Sequence, residues 1–141
     1  MQTLEDSSSS GSKSGSFKEL LAWPRSMAFV VDVYAETESW PQTERYGLTQ
    51  QMRRSCVSVP SNIAEGQGRR DGREFSHFMR IARGSLQEAE TQIMIGARLG
   101  FCSNEKEGDL LEQAGHIGRM ILGLRRAIAS RAQPITPPES L

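Results

Sequence analysis

The sequence predicts an all-α domain, an antiparallel up-down-up-down four-helix bundle. Four segments place apolar residues at alternating steps of three and four, the spacing that lines one face of a helix. No segment shows a sustained alternation of apolar and polar residues, so no strand is expected. The connections between the four segments are short, and short connections favour antiparallel neighbours.

Each predicted helix has its own apolar stripe, and the four stripes are expected to form the core. Pro24 is expected in the first turn of the first helix, where a missing N–H is tolerated. The stripe positions in chain order are Leu20, Trp23, Met27, Val30 and Tyr34; Leu48, Met52, Cys56, Val59 and Ile63; Phe75, Phe78, Ala82, Ser85, Ala89 and Ile93; and Leu110, Ala114, Ile117, Ile121, Leu124 and Ile128.

Short segments with helix-ending residues separate the helices: 40–44, 66–71 and 100–105. Gly100 is a candidate C-terminal cap of the third helix, and Ser103 or Asn104 is a candidate N-cap of the fourth. The glycine and arginine residues at 66–70 follow a helix rather than a strand, so helix termination is favoured over a phosphate-binding loop.

The composition describes one small domain between two tails. The Ser/Gly-rich residues 1–16 and the Pro-rich residues 132–141 are expected to be disordered, which leaves 17–131 as the bundle. Two cysteines are too few for a disulfide framework, so a reduced, cytoplasmic protein is expected. The longest apolar run, from Met27 to Val31, is too short to span a bilayer, so no membrane association is expected.

A polar stripe runs beside the apolar face of the second helix, at Gln51, Ser55, Ser58, Asn62, Glu65 and Arg69. Pro60 lies within this helix and removes one backbone hydrogen bond, but the stripes continue through it in register, which predicts one kinked helix. A buried polar group without a partner costs about 1–3 kcal/mol, so the polar stripe is expected to face another helix.

The third helix offers partners for Asn62 and Glu65, and the candidates are Arg83, Ser85 and Glu88. A glycine inside a helix costs about 1 kcal/mol relative to alanine, so Gly84 is expected to permit close approach within or between subunits. Packing and assembly are the leading interpretation of these residues, and a ligand or catalytic site is the alternative.

A cationic ridge runs from the end of the second helix into the third. It consists of Arg69, Arg73, His77 and Arg80 at steps of four, four and three, with Arg70 and Arg83 close by. Arginine forks bind phosphate oxygens bidentately, and a basic face is the usual mark of a nucleic-acid-binding protein. The alternative is a solvated charged face, because Asp71 and Glu74 lie among these arginines and the chain, with 17 basic and 17 acidic residues, is neutral.

No catalytic or metal-binding signature emerges from the spacing of reactive residues. Glu74 and His77 have the Glu-x-x-His spacing of di-iron bundles, but such sites need that pair twice. The other close pair, Glu112 and His116, is spaced by four. No metal, cofactor or catalytic residue is therefore expected, and the chain is expected not to be an enzyme.

Four stretches of the sequence resemble one known family: FKELLAW (17–23), VYAETESWPQTERYGLTQQMRRSCVSVPSNIAEGQGR (33–69), EFSHFMRIARGSLQEAETQI (74–93) and ARLGF (97–101). The family is the four-helix bundle family known from open reading frames in intervening sequences of 23S rRNA genes. The accessory variability protein of diversity-generating retroelements shares its fold. The most specific feature is Ser-x-Pro-Ser-Asn-Ile-Ala-Glu-Gly combined with Ala-Arg-Gly-Ser-x-x-Glu.

The resemblance implies a homopentameric ring with a basic surface and no enzymatic activity. For the retroelement relatives it implies binding to nucleic acid and to the reverse transcriptase. It also implies packing and assembly roles for the residues at the family's characteristic positions: Arg54, Ser58, Pro60, Asn62, Ala64, Glu65, Gly66, Arg69, Ala82, Gly84, Ser85 and Glu88.

Two functions are expected as alternatives. The leading one is a non-enzymatic homo-oligomer whose ring brings several cationic ridges together on the phosphates of RNA or DNA. The other is a protein-interaction scaffold, or an accessory subunit that docks a reverse transcriptase.

Overall fold

The computed structural model describes the backbone of residues 14–69 and 71–132 and the side chains of residues 21–69 and 71–129. The elements are α1 (Ser14–Thr37), a single 3-10 turn (Gln42–Glu44), α2 (Leu48–Gln67), α3 (Gly72–Arg98) and α4 (Asn104–Ala132). These ranges contain four α-helices and no strand, so the all-α prediction is confirmed.

The four helices form a closed square in which each helix packs on two others. α2 packs on α1 and α3, and α4 packs on α3 and α1, while the diagonal pairs do not pack on each other within the described ranges. Consecutive helices are joined by the short connections 38–47, 68–71 and 99–103, so they run antiparallel. This arrangement is an up-down-up-down bundle.

The centre of the square holds the apolar stripes that the sequence predicts for α2, α3 and α4. Every predicted position of α2 and α4 is buried except Leu48 and Ile128, which pack against the edge of the core. In α3, Met79 and Leu86 are also fully buried although the predicted stripe omits them, and Phe78 lies at the edge.

The predicted core face of α1 is wrong. Among the described side chains of α1, from residue 21 onward, the buried ones are Ala22, Ser26, Phe29, Val33 and Thr37. The hydroxyl of Ser26 is satisfied within the helix, because Oγ donates to the carbonyl of Trp23 at 2.8 Å, so a polar residue occupies a core position without penalty. Three residues of the predicted stripe are exposed instead: Trp23 and Tyr34 are each 41% exposed, and Met27 is 40% exposed. Val30 packs against the edge of the core, and the side chain of Leu20 lies outside the described residues.

Pro24 and Pro60 both lie inside helices. Pro24 lies in the interior of α1 rather than in its first turn, because the helix already begins at Ser14. α2 runs without a break through Pro60 to Gln67, so the prediction of one helix rather than two is confirmed. The expected helix termination at 66–71 is confirmed as well.

The end of α3 has the geometry expected of a glycine cap. Gly100 has a φ of 82°, and its N–H donates to the carbonyl of Ala97 at 3.0 Å. The N–H of Phe101 donates to the carbonyl of Gly96 at 2.9 Å. These two bonds form a Schellman motif, which turns the chain toward α4.

Side-chain caps begin the two helices that follow. Ser103 Oγ accepts from the N–H of Lys106 at 3.0 Å, so Ser103 rather than Asn104 is the N-cap of α4. Asp71 caps α3 by accepting from the N–H of Arg73 at 2.9 Å. Asp71, which interrupts the predicted ridge, therefore has a structural role in starting the helix that carries most of that ridge.

Candidate nucleic-acid interface

Two residues of the polar stripe of α2, Ser55 and Ser58, form hydrogen bonds to α3, but the pairs differ from those expected. Ser58 Oγ and Ser85 Oγ are 2.8 Å apart, and Ser55 Oγ donates to Glu88 Oε2 at 3.3 Å. The expected contact of Asn62 with α3 is wrong, because its Nδ2 donates to Ser58 O at 2.8 Å and to Ser58 Oγ at 2.9 Å on its own helix. We call this set of contacts the α2–α3 seam.

The close approach of α2 and α3 depends on Gly66 rather than on Gly84. A Cβ at Gly66 would lie 3.1 Å from the Cβ of Phe78, whereas a Cβ at Gly84 would meet nothing within 4 Å. The expected close approach at Gly84 is therefore wrong within the subunit. Glu65 does not contribute to the seam either, because it pairs with Arg69 one turn further along the exposed side of α2.

An open polar cavity of about 330 Å³ lies along the seam. Arg54, Ser55, Ser58, Ser85, Glu88 and Gln92 are among its lining residues. Gln92 Oε1 is buried and has no hydrogen-bond partner in the described part of the chain. Arg54 is exposed at this cavity and forms no ion pair with a described residue. The seam is thus polar and open on one side in the single chain.

The predicted cationic ridge lies at the surface. Three of its members are exposed along α3: Arg73, His77 and Arg80. Arg69 is exposed too, but it is paired with Glu65, and its guanidinium lies 5.2 Å from the ring centroid of Phe78. Arg70 lies outside the described residues. The charge of Arg69 is thus already balanced, and the unpaired charge is concentrated further along α3.

The ridge continues onto α4 through Arg125, which the sequence reasoning missed. Burial lowers the pKa of the half-buried Arg125 guanidinium, and the positive charges of Arg80 and Arg83 lower it further. Arg125 Nε is buried without a hydrogen-bond partner in the described ranges. We call Arg80, Arg83 and Arg125 the arginine cluster. None of the three forms an ion pair with a described residue.

The Glu90 carboxylate lies within electrostatic reach of Arg83 in the arginine cluster. Burial raises the pKa of Glu90, and the charge of Arg83 opposes that shift. None of the three guanidinium groups is held in an ion pair with a described residue, so their positive charges are not balanced by direct contact. Like charges held together in a partly buried position repel each other, and an anion that bridges them would relieve that repulsion.

The cysteines and histidines do not assemble into a site. Cys56 is fully buried, its Sγ donates to the carbonyl of Arg53 at 3.3 Å, and burial raises the pKa of the thiol to about 12. His116 Nε2 lies 3.8 Å from Glu112 Oε1 on the surface of α4. The described residues contain no group of three or more histidine, cysteine, aspartate or glutamate side chains that could hold a metal ion.

None of the helices in the described ranges is both apolar enough and long enough to cross a membrane.

Fold and surface together define a small four-helix bundle with a polar seam on one face and an arginine-rich surface beside it. The family model described as 23S rRNA-intervening sequence protein matches residues 18–123, and the chain belongs to that family. The family resemblance read from the sequence is thereby confirmed.

A solved structure supports the same architecture. It is the crystal structure of a protein with unknown function from the S23 ribosomal protein family of Bacteroides thetaiotaomicron. That protein is 18% identical to this chain, with a TM-score of 0.71, and the match covers 77% of this chain and 98% of that one. At this identity the likeness shows the fold alone. No curated protein matches this chain.

Proposed function

We propose that this chain is a non-enzymatic, cytoplasmic homo-oligomer, a pentameric ring, that binds the phosphate backbone of RNA or DNA. The observation that carries the proposal is the arginine cluster at Arg80, Arg83 and Arg125. Its members come from two helices, lie close enough to lower the pKa of one of them, and have no ion-pair partner among the described residues. Arg73 and His77 extend the same basic surface along α3.

The chemistry of the cluster suits phosphate oxygens. A guanidinium group presents a planar fork of N–H donors that matches two oxygens of a phosphate, and it stays charged at all physiological pH values. The Nε of Arg125 is buried without an acceptor among the described residues, so this guanidinium group is not fully satisfied within the chain. A backbone phosphate bound between α3 and α4 would neutralise the repulsion among the three guanidinium groups.

The oligomer explains how a neutral chain can bind a polyanion. The molecule has no net charge to attract nucleic acid from a distance, so binding must depend on the local patch. Several modest patches on one ring act together, because after the first contact the others bind at high effective concentration. Assembly and nucleic-acid binding are thus coupled in this proposal.

A binding measurement with charge variants tests the proposal. Fluorescence anisotropy at low salt would use labelled single-stranded and double-stranded RNA and DNA. The test variant carries Arg80→Gln, Arg83→Gln and Arg125→Gln. The matched control carries Arg25→Gln, Arg98→Gln and Arg119→Gln, which removes the same charge elsewhere on the surface.

We expect the wild-type chain and the control to bind and the cluster variant to bind at least about tenfold more weakly, which corresponds to about 1.4 kcal/mol. Equal losses in the two variants would show that only the total charge matters. Failure of the wild-type chain to bind any of the four nucleic acids would overturn the proposal.

A second candidate function, a protein-interaction scaffold, is favoured by the outer face of α1. Trp23, Met27 and Val31 follow one another at steps of four, and Val31 is 63% exposed. Apolar side chains lined up on a solvent-facing helix are typical of an interaction surface. A reverse transcriptase encoded beside this chain is the partner that this alternative proposes.

Co-expression with such a reverse transcriptase tests the scaffold function. The wild-type chain should co-purify with the enzyme, and the variant Met27→Ser/Val31→Ser should not. Equal co-purification of both chains would count against the α1 face as the docking surface.

A further inference from the structure

A second basic groove lies between α1 and α2, on the edge of the helix square opposite the arginine cluster. It has a volume of about 480 Å³, within the range of small-molecule sites. Its lining includes Tyr34, Arg45, Tyr46, Arg53, Arg54 and Val57, and none of its lining residues is acidic. Two aromatic rings and three arginines therefore share one groove.

Tyr46 is the most exposed of the aromatic and aliphatic side chains that line this groove. It is 86% exposed, although a tyrosine ring normally gains stability by burying much of its area. The backbone around it is held in place: the N–H of Arg45 donates to Gln42 O at 3.0 Å, and the N–H of Gly47 donates to Glu44 O at 3.0 Å. The ring is thus presented to solvent by an ordered turn, available as a stacking surface.

The opposite wall of the groove is fixed by Arg53. Its Nε donates to Thr37 Oγ1 at 2.9 Å, and its Nη2 lies 3.4 Å from Glu38 Oε2. The guanidinium also lies 4.5 Å from the ring centroid of Tyr34. These contacts tie α2 to α1 and balance the charge of Arg53, so this residue shapes the wall and is not free to bind a ligand.

The remaining two arginines are available. Arg45 and Arg54 are both exposed, and neither forms an ion pair with a described residue. They lie in the same groove as the Tyr46 ring. An exposed aromatic face with unpaired arginines beside it is the combination that proteins use to bind an unpaired base together with its neighbouring phosphates.

We infer that this groove binds one nucleotide of a single-stranded nucleic acid, with the base stacked on Tyr46 and the adjoining phosphates at Arg45 and Arg54. The inference rests on the proposed nucleic-acid function but adds a preference for unpaired strands, at a different face of the bundle. In a duplex the faces of the bases are covered by their neighbours, so a stacking site cannot use them. A partner protein is disfavoured because the groove presents unpaired positive charge and so calls for a polyanion.

Three variants of the full chain test the inference: Tyr46→Ala removes the ring, Tyr46→Phe keeps it without the hydroxyl, and Arg54→Gln removes one charge. Anisotropy would be measured with a short single-stranded RNA oligonucleotide and with the duplex of the same sequence. Tyr46→Ala should weaken binding of the single strand about tenfold, as expected for one lost base stack, and leave binding of the duplex unchanged. Tyr46→Phe should bind as the wild type does.

Arg54→Gln should weaken binding of the single strand and make it less sensitive to salt. If Tyr46→Ala binds the single strand with the same affinity as the wild-type chain, the groove inference is overturned, but the proposal for the arginine cluster is not affected. An equal loss of affinity of Tyr46→Ala for the single strand and for the duplex would also overturn the groove inference, because stacking requires an unpaired base. A fall in oligomeric mass of Tyr46→Ala would show that the groove is a subunit contact instead. No binding by the wild-type chain would overturn both proposals.

Discussion

The indole ring of Trp40 occupies the space that a side chain at Gly96 would need. A Cβ at Gly96 would lie 2.8 Å from both Cζ2 and Cζ3 of the ring. The ring is 5% exposed, and its centroid lies 5.5 Å from that of Phe101. The connection after α1 is thereby packed onto the end of α3, which closes one end of the bundle.

Gly96→Ala should therefore destabilise the bundle, because the new methyl group must displace a buried ring. Overpacking of this kind costs about 1–3 kcal/mol in the free energy of unfolding, measured by urea denaturation. Gly108→Ala is the control, since a Cβ there meets nothing within 4 Å and should stabilise α4 by up to about 1 kcal/mol. Equal effects of the two substitutions would show that the Trp40 contact does not restrict Gly96.

The hydrogen bond between Ser58 and Ser85 should contribute measurably to the packing of α2 on α3. Each single substitution, Ser58→Ala or Ser85→Ala, should lower the free energy of unfolding by about 1 kcal/mol, because it removes the hydrogen bond between the two hydroxyls. The double variant should lose less than the sum of the two. Strictly additive losses would mean that the two hydroxyls do not interact.

Gly84→Leu tests whether the surface of α3 around Gly84 contacts another subunit. A Cβ at Gly84 meets nothing in the subunit, and leucine is the better helix former, so the folded chain should gain about 0.8 kcal/mol. If Gly84 lies against a second copy, the larger side chain should break the oligomer, which light scattering would report as a lower mass. Gly108→Leu, at an equally open position, should keep the mass. An unchanged mass for Gly84→Leu excludes a tight contact there.

The buried thiol of Cys56 should make stability depend on pH in the alkaline range. Its pKa is raised from 9.0 to about 12 by burial, so the folded chain holds the proton longer than the unfolded chain does. The contribution of the protonated thiol to the free energy of unfolding is complete below pH 9 and is lost as the pH rises toward 12. Over that range the free energy of unfolding falls by at most about 1.4 kcal/mol per pH unit. Cys56→Ala should lack this part of the pH dependence. Identical pH profiles would contradict the raised pKa.

The helices and most of the core could be predicted from the sequence, but the core face of α1 could not. In α4 the buried positions follow the predicted steps of three and four: Leu110, Ala114, Ile117, Ile121 and Leu124. α1 is apolar on two faces, and its buried face includes Ser26 and Thr37, whose hydroxyls donate to backbone carbonyls of their own helix. Hydropathy alone cannot identify a core position of that kind.

The candidate sites could likewise be predicted only where their residues lie close together in the sequence. The arginines of α3 share one helix, so their spacing alone predicted that Arg80 and Arg83 lie close together; Arg80 is exposed and Arg83 is half-buried. Arg125 joins them only because α4 packs on α3, and no local pattern indicates that contact. The groove at Tyr46 was missed for the same reason, since it requires α1 and α2 to be neighbours. The adjacent Arg45 and Tyr46 were the one local signal available.

The salt dependence of nucleic-acid binding tests the central claim most directly. The affinity of the wild-type chain should fall linearly with salt concentration on logarithmic axes. Removing Arg80, Arg83 and Arg125 should make that slope shallower by about 0.7 per lost phosphate contact on a single strand and about 0.9 on a duplex. The Arg25, Arg98 and Arg119 control should keep the wild-type slope. A cluster variant with the wild-type slope and affinity would contradict the account.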